Sequence, residues 1–162
     1  MLARPKRSFT PIVVNGKPID VVSSAKVLGV NISQNLKWNI HISEIVKKVS
    51  SRLYFLRQLK RAKIPAKDLI TFYLTCVRPV AGYACPVFHD SLPQYLSQDL
   101  EKLQKRALRI IYLGLSYPEA LSEAGIVTLF DRRELLTDKS FNDIVNDTAL
   151  TKISCKISYM KF

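Results

Sequence analysis

The sequence predicts a mainly α-helical protein, in which a helical bundle follows a small β-structured N-terminal part. Three observations lead to this prediction. Near Trp38 the apolar spacing changes from short β-branched runs to steps of three and four residues. Apolar stripes of helical period then recur up to about residue 146. Turn and capping signals, such as Asn15-Gly16 and Ser116, separate these segments.

The β-like part covers residues 11–33. Two β-branched runs, PIVV and IDVV, lie on either side of Asn15-Gly16, a dipeptide typical of two-residue hairpin turns. The segment KVLGVNIS predicts a further strand, in which Gly29 marks a close backbone approach or a bulge. We therefore expect one hairpin followed by one strand.

The first long helix is predicted over residues 38–63. Its apolar stripe consists of Ile42, Ile45, Val46, Val49, Leu53 and Leu56. The stripe drifts at its end, because Lys60 stands where an apolar residue is expected. A second helix over 66–78 is apolar nearly all round, which predicts a central position and an end near Pro79. Residues 79–92 contain further prolines and are expected to be irregular.

The C-terminal half predicts three more helices. The helix over 94–112 has an apolar stripe formed by Leu96, Leu100, Leu103, Ala107, Ile110 and Ile111, and Gly114 is a suitable stop. Ser116 is the expected N-cap of a short helix, with Glu119 three residues on and Gly125 at its end. A last helix starts at Thr128 and runs to about residue 146. The tail, 148–162, has no clear period, and we assign it no structure.

The charge of the chain favours a polyanionic partner. Lys and Arg number 25 against 13 Asp and Glu, which gives a formal net charge of +12. Half of this excess lies in residues 38–63, where seven basic residues face Glu44 alone. Nucleic acid is the first candidate partner and an anionic membrane surface the second, while simple solvation of the charges is the alternative. A membrane span over 69–88 is not expected, because Arg78 lies at its middle.

The first long helix provides most of the candidate binding residues. Lys47, Tyr54 and Arg61 are spaced by seven residues, so they lie on one flank of the apolar stripe, and Lys48 and Phe55 repeat the spacing on the other flank. The cations can bind phosphates, and an aromatic ring between them can stack on a base. The full set of candidates comprises Lys47, Lys48, Arg52, Tyr54, Arg57 and Arg61, with Lys105 and Arg109 on the helix predicted over 94–112. The alternative is that the aromatic rings widen the core contact and the cations are solvated.

Residue patterns for catalysis or metal binding are missing from the sequence. No two carboxylates are paired as a two-metal polymerase site requires, and no Gly-rich phosphate loop occurs. His41 precedes an apolar position near a helix start, which favours a structural role. The three cysteines have no C-x-x-C spacing, so we expect no metal, no cofactor and a reducing, intracellular compartment, either nuclear or cytoplasmic. We expect no enzymatic activity from this chain alone.

Several blocks of the sequence occur together, in order, in one known family. The block RPVAGYACPVFH, residues 78–89, resembles the Arg-Pro-Val…Tyr-Ala-Cys-Pro-Val-Trp-His block of non-LTR (LINE-type) retrotransposon reverse transcriptases. The blocks AKVLGVNIS, LKWNIHISEIVKK, RLYFLRQLKRA, LEKLQKRALRII, LSYPEAL and TLFDRREL are similar to further blocks of that family. The resemblance covers about residues 8–147. Val27 and Phe88 stand where the family usually has Tyr and Trp.

The resemblance implies a part of an RNA-directed DNA polymerase without its catalytic Asp residues. It divides the chain into the end of a palm (1–37), thumb-like helices (38–92), a downstream helical segment (93–147) and a divergent tail (148–162). Leu28 and Gly29 would then belong to a primer-grip-like strand. The implied partners are RNA, DNA or an RNA–DNA hybrid bound weakly through phosphates, with a palm domain in trans or self-association as further options and no membrane. The alternative function is a decayed structural or protein-interaction fragment.

Overall fold

Two small antiparallel β-hairpins precede the helices in the computed structural model, which describes residues 12–146. The first hairpin pairs β1 (Val13–Val14) with β2 (Lys17–Pro18), and the second pairs β3 (Ser24–Val27) with β4 (Val30–Ser33). The helices that follow form most of the described chain. The predicted fold class, mainly helical after a small β part, is confirmed.

The strand predictions need two corrections. Asn15-Gly16 forms the expected turn, but its second strand is Lys17–Pro18 and not the IDVV run, which lies outside the ladder. The segment predicted as one strand around Gly29 is a hairpin. Leu28 and Gly29 have φ angles of 48° and 84°, and two consecutive positive φ angles reverse the chain in a two-residue turn. Gly29 therefore marks a turn, and the expected close backbone approach is also present there, as described below.

Seven α-helices follow the hairpins within the described residues. They are α1 (Asn39–Arg61), α2 (Ala66–Phe72), α3 (Arg78–Gly82), α4 (Cys85–Phe88), α5 (Gln94–Ile111), α6 (Tyr117–Ala124) and α7 (Leu129–Asn146). A π-helical turn, Tyr73–Val77, joins α2 to α3 without a break. The predicted tail, the first eleven residues and Cys155 lie outside the described residues. No described helix is long and apolar enough to cross a membrane.

The helices α1 and α5 lie side by side and run parallel. At their starts, the Asn39 amide donates a hydrogen bond to the Tyr95 hydroxyl over 2.8 Å. At their ends, the Lys60 ammonium donates to the carbonyl of Ile111 over 2.9 Å. The predicted stripe of α1 is buried in this contact, apart from Val46, which is partly buried. Lys60 breaks the apolar stripe because its charge binds the negative end of the α5 dipole.

The helix predicted to stop near Pro79 continues through it. Proline has no N–H group and its ring crowds the carbonyl one turn earlier, which normally ends or kinks a helix. Here the preceding turn widens into the π-helical turn, where Arg78 N–H bonds the carbonyl of Tyr73. The Arg52 guanidinium of α1 donates a hydrogen bond to the carbonyl of Cys76, which provides a side-chain partner for the disturbed backbone.

The segment 66–78 is less central than its composition predicts. Leu69, Tyr73 and Val77 are buried at intervals of four residues, while Phe72 and Leu74 are only partly buried. The helices with the most packing partners are α1, which contacts α2, α3, α5, β4 and the π-helical turn, and α5, which contacts α1, α2, α6 and α7. Residues 79–92, predicted as irregular, contain α4 and all but the first residue of α3. Pro86 lies in the first turn of α4, where no backbone donor is needed.

A buried polar network joins the C-terminal helices to α5. The Tyr73 hydroxyl donates to the Gln104 side-chain oxygen over 2.7 Å, and the Gln104 amide donates to the Val127 carbonyl over 2.9 Å. Glu101 accepts hydrogen bonds from the Tyr117 hydroxyl and from the first backbone N–H groups of α7. The network therefore holds the start of α7 against the middle of α5. The predicted capping box of α6 is confirmed.

One hydrophobic core spans the division predicted at residues 92/93. Its buried members come from α1 and the α2–α3 segment on one side and from α5 and α7 on the other. The domain boundaries themselves stay a prediction. By contrast, Val30 is the buried apolar residue among residues 12–33. The other large apolar residues of this β part are exposed, and these are Ile12, Val13, Val14, Ile19, Val21, Val22, Val27, Leu28 and Ile32.

Candidate nucleic-acid interface

The outer surface of α1 presents the predicted cations to solvent. The buried stripe faces α5 and the α2–α3 segment, so residues on the opposite side of the helix remain outside the core. Lys47, Lys48, Arg57 and Arg61 are all exposed. From Lys47 to Arg61 the helix advances by roughly 21 Å. This surface is long enough to meet several phosphates of one nucleic-acid strand.

These four cations have no carboxylate partner among residues 12–146. The two ion pairs of this region are Lys26 with Glu44, at 3.3 Å, and Lys102 with Asp99, at 2.8 Å. Neither pair involves the four cations of α1. An unpaired surface cation keeps its full charge available to an external anion, and no internal bond has to be broken on binding.

Arg52 has a different environment from the other candidates. One of its guanidinium nitrogens binds the carbonyl of Cys76, so part of its hydrogen-bonding capacity serves the helix junction. Together with Lys48 it lines a groove of about 420 Å³ between α1, α3 and the tip of the β3–β4 hairpin. Tyr83 and Gly29 line the same groove. The structure thus places Lys48 and Arg52 on the flank away from Lys47 and Arg61.

The aromatic candidates Tyr54 and Phe55 lie outside the core. Each side chain is 56% exposed, which excludes the alternative that they widen the core contact. Their rings meet edge to face, with centroids 5.8 Å apart and an interplanar angle of 75°. They are consecutive residues, separated by about 100° around the helix. They therefore lie on either side of the line along α1 that points farthest from the core. Each is seven residues from a cation on its own flank.

The cations of α5 add to this surface. Lys105 and Arg109 are exposed as predicted, as are Lys102 and Arg106. Lys102 pairs with Asp99, and the Lys105 ammonium lies 5.1 Å from the centre of the Tyr117 ring. Arg106 and Arg109 have no carboxylate partner among the described residues. Arg106 was not among the candidate residues, although its spacing of three from Arg109 is a signal that could have included it.

We call six exposed cations of the two helices the basic face: Lys47, Lys48, Arg57 and Arg61 on α1, with Arg106 and Arg109 on α5. Unlike Arg52, Lys60 and Lys105, they have no ion pair, hydrogen bond or cation–π contact among residues 12–146. Within α1, Lys48 lies on the flank away from Lys47 and Arg61. α1 and α5 are parallel neighbours, and each of them exposes part of this set to solvent. The only acidic residue of α1, Glu44, is paired with Lys26 at the opposite end from Arg61. The arrangement can attract a polyanion and hold it through several phosphates at once.

Leu28 and Gly29 lie at the tip of the β3–β4 hairpin. The Tyr83 hydroxyl donates a hydrogen bond to the carbonyl of Leu28 over 2.8 Å. A Cβ atom added to Gly29 would lie 3.2 Å from Cε1 of Tyr83, so this is the close approach that the glycine predicts. The contact attaches the hairpin to the end of α3, while the Leu28 side chain is exposed.

Several of the remaining titratable groups lie in the interior, and His41 is one of them. His41 is buried between Trp38 and Phe88, and its Nδ1 accepts a long hydrogen bond, 3.4 Å, from the backbone N–H of Asn31. Burial lowers the pKa of His41. To a smaller extent, the Glu44 carboxylate raises this pKa and the Lys48 ammonium lowers it further. Within residues 12–146 no group of three His, Cys, Asp or Glu side chains could hold a metal ion.

Comparison with known proteins gives one family match. The model of the family described as Alkylated DNA repair protein alkB homolog 8, N-terminal, matches residues 38–78, which is a minority of the chain. The matched segment contains α1, α2 and the π-helical turn. No curated protein and no solved structure matches. The chain is therefore similar to that family over this segment.

This match contradicts the resemblance to non-LTR reverse transcriptases. The matched family is not a reverse transcriptase family, and the match falls on the residues taken as the thumb. The interpretation of the chain as a piece of a retrotransposon polymerase is therefore wrong, and so is the LINE origin that it implied. The primer-grip-like role of Leu28 and Gly29 came only from that resemblance. The exposed cations of α1 and α5 do not depend on it.

Proposed function

We propose that this protein is a binding module that holds RNA, DNA or their hybrid through phosphates on the basic face, without reading sequence. The observation that carries the proposal is the basic face, whose six exposed cations have no carboxylate partner among residues 12–146. Such contacts position a nucleic acid but carry no sequence information. The proposal assigns no catalytic step to the chain.

Two further observations support a nucleic-acid partner. Half of the net charge of +12 lies on one segment, residues 38–63, and is not spread over the chain. The family whose model matches 38–78 is named for a DNA repair protein, and this segment includes every α1 residue of the basic face. A surface that neutralises three or four phosphates should give a slope, in a plot of log K against log salt, of about −3 to −4 on a duplex and about −2 to −3 on a single strand.

The test measures binding of labelled 20-nucleotide DNA and RNA by fluorescence anisotropy at several salt concentrations. In the variant Lys47→Glu/Arg61→Glu, we expect affinity to fall for every sequence and the salt slope to become shallower. The matched control is Lys17→Glu/Lys139→Glu, which changes the net charge equally at two exposed lysines of β2 and α7. We expect the control to retain most of the affinity.

Two outcomes would overturn the proposal. If the wild-type protein bound no nucleic acid at low salt, the basic face would be a solvated surface only. If both double variants lost affinity equally, the net charge alone would explain binding and the location on α1 would be wrong. A circular dichroism spectrum of each variant shows whether the helices are intact.

A further inference from the structure

We infer that Tyr54 and Phe55 form a stacking platform for unpaired bases, so that the basic face selects single-stranded nucleic acid over a duplex. This inference rests on the proposed function, because it names the class of nucleic acid that the same surface prefers. Phosphate contacts alone would bind both forms, so the selection has to come from the two aromatic side chains.

The platform is visible in the exposure and geometry of the two rings. Two large aromatic side chains are each 56% exposed at consecutive positions of a regular helix, in the most strongly basic part of the chain. In their edge-to-face arrangement, 5.8 Å between centroids, the rings do not stack face to face on each other. A base can therefore cover a ring face that water otherwise meets.

Cations lie on both sides of the platform. Lys47 precedes Tyr54 by seven residues and Arg61 follows it by seven, which places them about 10 Å away along the helix on the same flank. On the other flank, Lys48 precedes Phe55 by seven residues. A strand running along α1 can thus place a base on a ring and its flanking phosphates against these cations.

A duplex cannot use the rings in this way. Its bases are stacked on one another and paired, so their faces are closed, and only its phosphates reach the surface. Unpaired bases expose their faces, and stacking on an aromatic side chain tolerates every base because each has a π-face. Both RNA and DNA single strands offer this chemistry. The surrounding cations, which have no carboxylate partners within residues 12–146, favour such an anionic strand over an uncharged apolar partner.

The experiment compares probes of equal length that differ in their bases. Labelled oligo(dT) and oligo(U), a DNA strand made of abasic sites, and a 20-base-pair duplex are titrated with the wild-type protein at one salt concentration. We expect oligo(dT) and oligo(U) to bind at least about tenfold more tightly than the abasic strand. In the variant Tyr54→Leu/Phe55→Leu, this advantage should disappear, while affinity for the abasic strand and the duplex stays unchanged.

The control variant is Phe141→Leu, which removes an exposed aromatic side chain from α7. It should keep the wild-type preference for single strands with bases. If the wild-type protein bound all four probes equally, the platform would be refuted and the phosphate-led function would stand. If none of the probes bound, the proposed function itself would fail. Equal loss of affinity for the duplex and for oligo(dT) in the leucine variant would also refute the platform.

Discussion

The Lys60 side chain of α1 binds the last turn of α5, with 2.9 Å between its Nζ atom and the carbonyl oxygen of Ile111. The last carbonyls of a helix have no partner within the helix and carry the negative end of its dipole, so an ammonium group there is favourable. The contact lies at the C-terminal ends of α1 and α5. Together with the bond between Asn39 and Tyr95 at their N-terminal ends, it fixes the parallel register of the two helices.

The first prediction concerns this contact. Replacing Lys60 with Met keeps most of the aliphatic stem but removes the charged donor, so we expect the free energy of unfolding to fall by about 1 kcal/mol. Urea denaturation followed by circular dichroism measures this change. The matched control, Lys47→Met, removes an exposed ammonium of the same helix that has no ion-pair partner in the described region, and it should change stability little. Equal effects of the two variants would contradict the role of Lys60.

Lys60 and Pro79 show what the sequence could predict and what it could not. The stripe of α1 and the stop signals of α5 and α6 are local patterns, and these helices lie where the patterns predict. The break in the stripe at Lys60 has its reason in α5, fifty-one residues later. The passage of the helix through Pro79 involves Arg52 of another helix. Such partners are distant in sequence, so a local pattern cannot reveal them.

The candidate site was predictable to a similar extent. Helical spacing alone assigns Lys47, Tyr54 and Arg61 to one flank, because the period of a helix is fixed. Whether Tyr54 and Phe55 face the core or the solvent depends on how much of the α1 surface the neighbouring helices cover, and the sequence does not show this. The same holds for Arg52, whose partial use at the helix junction follows from packing between α1 and the π-helical turn.

The second prediction concerns a buried charge. Arg133 is fully buried, its guanidinium donates to the Ser97 hydroxyl over 2.7 Å, and its Nε and Nη1 atoms have no partner among the described residues. Burial lowers the pKa of this guanidinium, and the nearby Glu101 carboxylate opposes the effect. Removing a poorly paired buried charge is often neutral or stabilising. We therefore expect Arg133→Met to leave the free energy of unfolding unchanged or to raise it by up to about 4 kcal/mol.

A double-mutant cycle tests the reason for this expectation. Ser97→Ala should lower stability by about 1–3 kcal/mol in the wild-type protein, because it removes a hydrogen bond from a buried charge. In the Arg133→Met background the same substitution should have almost no effect. A fall of stability in Arg133→Met by itself would show that the guanidinium is better paired than its contacts indicate.

The third prediction is a pH dependence from His41. Burial lowers its pKa in the folded protein below the ordinary value of 6.5, so the unfolded chain binds the proton first as pH falls. The stabilising contribution is therefore complete above 6.5 and is lost as pH falls towards the folded-state pKa. Of the charged neighbours, Glu44 raises this pKa, while Lys48 and Lys26 lower it further.

The measurement compares urea denaturation of the wild-type protein and His41→Gln at about pH 7.5 and about pH 5. Glutamine keeps a hydrogen-bond acceptor for the N–H of Asn31 but does not titrate. We expect the wild-type protein to lose more stability between the two pH values than the variant does. Parallel pH dependences of the two proteins would exclude His41 as their source.

The last prediction separates two effects of a glycine at the tip of the second hairpin. Gly16 and Gly29 both have positive φ angles, 76° and 84°, so alanine at either position brings a backbone strain of about 1–2 kcal/mol. Around Gly16 the described residues leave open space, whereas a Cβ atom at Gly29 would press against the ring of Tyr83 at 3.2 Å. That ring cannot move away freely, because its hydroxyl is bonded to the carbonyl of Leu28. Gly29→Ala should therefore push the hairpin away from α3 as well as strain its turn.

Amide hydrogen exchange in β3 and β4 measures this loosening. We expect faster exchange there in Gly29→Ala, and no change in Gly16→Ala, whose turn belongs to the other hairpin. Tyr83→Ala removes the ring and should itself loosen the hairpin. When Gly29→Ala is added to the Tyr83→Ala variant, it should contribute only the backbone strain. If Gly29→Ala had the same effect with and without the Tyr83 ring, the close approach would be irrelevant, and the glycine would be needed for its φ angle alone.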